Sequence, residues 1–163
     1  MRAYFFGNMY LSSIQQGIQA GHVIAEMSLK YAACASTNGP GPFNEWAEKH
    51  KTMVLLNAGY GEEIHDLVRF FDRQGHCHHQ YPWASFNEGQ DALDGALTCV
   101  GIILPEKIYD LAKLARDPDE FKIIEHSVTS SGEYVDPNFD VKWEYNKWEW
   151  DLVKRLNQYG LAR

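Results

Sequence analysis

The stretch Tyr81–Pro105, YPWASFNEGQDALDGALTCVGIILP, decides how the chain folds. Its second half, Leu97 to Leu104, is almost continuously apolar and carries Thr98, Val100, Ile102 and Ile103 as β-branched residues. An unbroken apolar run of this kind reads as a strand buried on both faces, so helices are expected on both sides of its sheet. The first half, Trp83 to Phe86, alternates large and small residues and reads as a partner strand. Between them, Asn87 to Gly95 places three acidic residues, two amides and two glycines in nine positions. Such an elbow is either a solvated hairpin connection or a loop carrying chemistry on a rigid sheet, and composition leaves both open.

Upstream, Arg2 to Asn8 (RAYFFGN) reads as a first strand. Ser12 or Ser13 is placed to cap a long helix to about Ala33, with Gln16 at capping-box distance from Ser13. Ile14, Ile18, Gly21, Ala25 and Leu29 form a stripe at helical spacing and are expected to lie on the sheet. Gly17 and Gly21 cost roughly 1 kcal/mol each in a helix interior, which points to close packing or a nearby ligand. A second line, Gln15, Gln19, His22 and Glu26, aligns two amides, an imidazole and a carboxylate. An exposed face has the same composition, so this line carries function only if it points at the elbow. Ala35 to Pro42 (ASTNGPGP) reads as a loop, Phe43 to His50 as a short helix with Trp46, and Lys51 to Asn57 (KTMVLLN) as a second buried strand. A glycine-bearing turn then leads into a helix from Glu62 to about Gln74, with Ile64, Leu67, Val68 and Phe71 as its core stripe.

The run His76-Cys77-His78-His79 is rich in metal-ligand types, but adjacent residues of an extended chain point in opposite directions and no second ligand pair sits at zinc spacing. No metal is expected, and no cofactor. Pro105 opens a helix from Glu106 to about Ala115. From about Phe121 the character changes, and Asp136 opens a helix to about Tyr159 with Val141, Tyr145, Trp148, Leu152 and Leu156 on one face. Trp143 and Trp150 fall outside that stripe, to be covered by the main domain, a second subunit or a ligand. The expected architecture is an α/β domain over residues 1–120, a small mixed sheet of about four strands with helices on both faces, followed by a Trp-rich helical extension over 121–163.

The chain has 163 residues, enough for one domain with a core and an appendage. Cys34, Cys77 and Cys99 are odd in number and widely spaced, so free thiols are expected, with Cys99 in the core. The formal charge of −7 disfavours extended nucleic acid as a partner, because a general grip on phosphates needs the opposite sign. No run is long enough to cross a bilayer and no signal-peptide h-region precedes the fold, so a cytoplasmic protein without a membrane partner is expected.

Gln19-Ala20-Gly21-His22 on the long helix, and Asn87-Glu88-Gly89 leading into TCVGIILP, resemble the type-2 peptidyl-tRNA hydrolase family over about residues 2 to 116. That family carries a Gln-x-x-His helix and an Asp-Ala-Gly loop followed by a buried strand; the segment from about Phe121 has no counterpart in it. The resemblance implies ester cleavage by a lysine near the start of the helix and the aspartate of the loop. Aligned on Gln19 and His22, those places are held here by Gln15 and Asn87, and an amide neither acts as a general base nor supplies positive charge to an oxyanion. The expectation is a non-catalytic, or weakly catalytic, protein that binds and sequesters a small nucleotide-like or adenosine-containing ligand. Gln15, Gln19, His22, Asn87, Gly89 and Asp91 would read its polar edges, with Trp83 or Trp46 stacking. The alternatives are an active hydrolase of peptidyl-tRNA or a smaller acyl ester, with Asp91 or Asp94 paired to His22 or Lys51, and an interaction module built on the C-terminal helix. A homodimer is expected, because the family often dimerises and the surplus tryptophans need burial.

Overall fold

The computed structural model describes residues 1–36, 39–74, 80–109 and 146–162. Strands β1 (Arg2–Gly7), β4 (Met53–Asn57), β5 (Trp83–Asn87) and β6 (Leu97–Leu104) form one mixed sheet in the order β4-β1-β6-β5. A two-residue pair, β2 (Ala35–Ser36) with β3 (Gly39–Pro40), forms a small ribbon within the segment expected to be loop. β1 runs parallel to β4 and antiparallel to β6, and β5 is antiparallel to β6. All eight residues of β6 are buried, as its unbroken apolar run requires.

Helix α1 (Ser13–Tyr31) and helix α3 (Gly61–Asp72) cover opposite faces of the sheet. Ala20, Val23 and Met27 of α1 pack with Ala3, Phe5, Ala84, Cys99 and Ile103. Phe71 of α3 meets Phe6 and Trp83, the strand neighbours of Phe5 and Ala84, whose side chains must point the other way. On the α1 face the short helix α2 (Pro42–Glu45) and a wider turn over Trp46–His50 add Phe43 and Trp46 to the core. α3 buries Ile64, Leu67, Phe70 and Phe71, so Phe70 belongs to its core stripe.

The inward face of α1 is not the expected one. Ile14, Ile18 and Leu29 are 78%, 55% and 82% exposed, and Gly21 and Ala25 between them are exposed as well. The buried residues are Gln16, Gln19, Ala20, Val23 and Met27. The sheet makes that choice at Gly101, where an added Cβ would lie 2.7 Å from Phe5 Cδ1 and 2.9 Å from Val23 Cγ1. A missing side chain on the central strand lets Val23 sink between the strands, and Ala20, one turn back, follows it. Gln16 and Gln19 then enter with polar partners waiting, which removes most of the cost of burying them. Gly17 and Gly21 face open space and serve no close packing.

Two further expectations are corrected. The KTMVLLN strand is not buried but forms an edge, with Met53 40% exposed. The end of the chain partly covers that edge: the Asn57 amide donates to Gly160 O at 2.9 Å and the Ala162 amide to Leu55 O at 3.0 Å. Of the two caps offered by the sequence Ser12 is the one used, and the capping box pairs it with Gln15 in place of the expected Ser13–Gln16 pair.

The chain divides into two compact units, Met1–Leu104 with Gly160–Arg163, and Pro105–Tyr159. In the second, residues 106–109 are helical and α5 spans Lys147–Leu156. Asn146 caps α5 through a box with Glu149, whose carboxylate is 1% exposed and paired with Lys107 Nζ at 2.5 Å. Trp150, expected outside the buried stripe, is buried with Leu152, Val153 and Leu156. Residues 110–145, with the start of the expected C-terminal helix, and the run from Gly75 to His79, with its three histidines, lie outside the described residues. Among the described residues no helix is long and apolar enough to cross a membrane, and no cluster of His, Cys, Asp and Glu is arranged to hold a metal ion.

Candidate functional site

Of the polar line of α1, Gln19 reaches the elbow. Gln19 Nε2 donates to Glu88 Oε1 at 2.5 Å, while its Oε1 accepts from the Thr98 hydroxyl at 3.0 Å. Gln19 is 6% exposed and Thr98 1%, so this chain of helix, elbow and central strand is held in the dry interior up to the Glu88 carboxylate. Glu88 reaches α1 because the β5–β6 ladder shifts register between Phe86 and Asn87. A bulge there turns the strand end and re-aims the side chain that follows it.

One turn along α1, the His22 ring stacks on Phe86 with centroids 4.4 Å apart and planes 14° from parallel. Phe86 shares the α1 face with Ala84 by strand alternation, and its partial burial fixes one side of the imidazole. His22 itself is exposed. The junction thus offers a flat, supported ring one helical turn along α1 from the residue that orients a carboxylate.

The other expected residues divide by what already occupies them. Gln15 closes the helix cap: its Oε1 accepts from the Ser12 amide at 2.9 Å and from the Ser12 hydroxyl at 3.0 Å. Asn87 Nδ2 donates to Gly95 O at 2.9 Å and shapes the elbow. The Gly89 carbonyl accepts from Ala92 and Leu93 at the start of the short helix α4 (Gln90–Leu93). Asp91 and Asp94 are exposed on this elbow, Asp94 with φ 52° ahead of Gly95 with φ 72°. Gln15, Gln19, His22, Asn87, Gly89, Asp91 and Asp94 therefore belong to one end of the sheet.

Trp83, Trp46 and Lys51 do not. Trp83 is at the opposite end of β5, 8% exposed, its ring against Phe71 and under the Lys30 ammonium at 5.1 Å. Trp46 is 4% exposed and spends its indole N–H on Thr52 O at 3.0 Å. Lys51 precedes β4, whose first residue is level with Ala3, at the far end from the elbow. The sequence reading missed Glu88, Phe86 and Thr98. Period-two alternation through Ala84 would have placed Phe86 on the α1 face; no sequence pattern announces the bulge that delivers Glu88.

One further polar group is buried near the carboxyl ends of β1 and β4. Gln16 Nε2 donates to Leu11 O at 3.1 Å and to Asn57 Oδ1 at 3.3 Å, and its Oε1 has no partner. An ordered water is the usual companion of such an atom.

The fold and this junction define a small α/β protein with a polar ledge where its first helix meets the β5–β6 elbow. No protein-family model matches the chain, and no curated protein matches it.

Proposed function

We propose that the α1–elbow junction binds a small nucleotide-like or adenosine-containing ligand without turning it over, and that the protein sequesters that ligand. The observation that carries this reading is the His22–Phe86 stack one helical turn along α1 from Gln19, which with Thr98 anchors the Glu88 carboxylate. A planar base stacks on a supported ring, and a fixed carboxylate accepts from an exocyclic amine such as that of adenine. Gln15, Asn87 and Asp91 at the rim supply further polar contacts. The ester-hydrolase reading has no comparable support: among the described residues His22 makes no ion pair with Asp91 or Asp94, and Gln15 and Asn87 have no acid–base chemistry.

A thermal-shift screen with adenosine, AMP and ADP-ribose tests the proposal. At about 100 times the dissociation constant a bound ligand adds about 2.7 kcal/mol to the folded state. The shift is expected in the wild type, reduced in His22→Ala and in Glu88→Gln, with the ligand recovered intact. No shift with any of the three overturns it. Cleavage of the ligand moves the reading to hydrolysis.

A further inference from the structure

At the other end of the sheet, away from the junction, a cavity of about 610 Å³ opens between the end of α1, the segment Pro40–Phe43 and the entry to β5 at Gln80 and Pro82. That volume is in the range of sites for small organic molecules. We propose that it is a second ligand site, for a small amine carrying a flat apolar body.

The cavity has built walls. Gly41 is pressed onto the turn that follows α1, where an added Cβ would lie 2.4 Å from the Cys34 carbonyl oxygen. Asn44 Nδ2 ties α2 to the same turn by donating to Ala32 O at 3.0 Å. On the β5 side the Tyr31 hydroxyl donates to Trp83 O at 3.2 Å. Burial holds the Tyr31 phenol above its usual range, so it stays a neutral donor. Pro40, Pro42, Phe43 and Pro82 make the lining chiefly apolar and rigid, which suits a flat body and costs little ordering on binding.

Its electrostatics favour a cation. Among the described residues that line the cavity, Glu45 is the only acidic one and none is Lys or Arg. The carboxyl end of the 19-residue α1, the negative pole of its dipole, borders the same space. The nearby Lys30 ammonium is drawn off over the Trp83 ring, and His50 Nε2 meets Glu45 at 4.0 Å, a contact that an amine of the ligand would replace.

Titration calorimetry with tryptamine and with indole-3-propionate, which share the ring and differ in charge, reads the proposal directly. Tryptamine is expected to bind at one site and the acid not to bind. Glu45→Gln should weaken tryptamine by about tenfold. Ala33→Trp, at an exposed position of the lining, fills the cavity and should abolish binding while circular dichroism and melting stay as in the wild type. Absence of tryptamine binding at millimolar concentration, equal binding of both probes, or unchanged binding to the Ala33→Trp variant overturns it. His22→Ala, which tests the junction, should leave tryptamine binding unchanged, so the two sites fail or stand separately.

Discussion

Thr98 shows how much one hydroxyl holds at the junction. It is 1% exposed and donates to Gln19 Oε1, which in turn leaves Gln19 Nε2 to orient Glu88. Thr98→Val keeps the shape and strands a buried acceptor, so a loss of about 1–3 kcal/mol is expected in urea unfolding. Adenosine binding at the junction should weaken in the same variant. The neighbouring Cys99 is a reporter of a different kind. Burial pushes its thiol up to about 12 from the ordinary 9.0. The unfolded chain therefore releases a proton above pH 9 that the folded chain keeps until about pH 12. Its contribution to stability is intact below pH 9 and is lost progressively as pH rises between these values. Urea midpoints measured above pH 9 should fall more steeply for the wild type than for Cys99→Ala, and native Cys99 should resist alkylation at neutral pH.

At the scale of elements, α1 is where pattern and packing part company. Its sequence offers an apolar stripe and a polar line, and the sheet takes neither whole: it takes Ala20, Val23 and Met27 together with Gln16 and Gln19. Periodicity identified the helix, and it ends at Tyr31, close to the limit read from sequence. It could not choose the face, because the choice depends on Gly101 of a strand far along the chain and on hydrogen-bond partners contributed by other elements. β6 was legible throughout, since a strand buried on both faces needs no choice of side. The edge position of β4 was not legible, because its apolar run describes the residues and not which neighbours arrive. Two substitutions separate these cases. Met27→Ala, at a fully buried site, should cost about 2–5 kcal/mol. Leu29→Ala, at 82% exposure, should change stability by less than about 0.5 kcal/mol in the same chemical-unfolding assay.

For the whole molecule the architecture was readable and the candidate site only in part. Gln19, His22 and the elbow were identified from sequence and lie together, whereas Trp83 and Trp46 were chosen for their chemistry and are consumed by the core. Aromatic residues carry no sequence mark that distinguishes a stacking platform from a packing anchor. The formal net charge of −7 disfavours a general grip on a long polyanion, in keeping with the proposal of a small ligand at the junction. Gel-shift titration with deacylated tRNA at physiological salt is expected to show no complex up to micromolar protein; a complex there would reopen the hydrolase reading.

The pairing of the last residues with β4 also sets an order of events during synthesis. One side of β4 is claimed early, by β1, which has already emerged. The other side is met by residues that follow much later, Asn57 and Leu161 being 104 positions apart. At translation speeds of about 5–20 residues per second, this flank of the nascent sheet stands open for roughly 5–20 s. Through that interval the half-made domain presents unpaired backbone to neighbouring chains on the same polysome. Slowing the ribosome between these two points should therefore lower soluble yield with no change in the sequence of the protein.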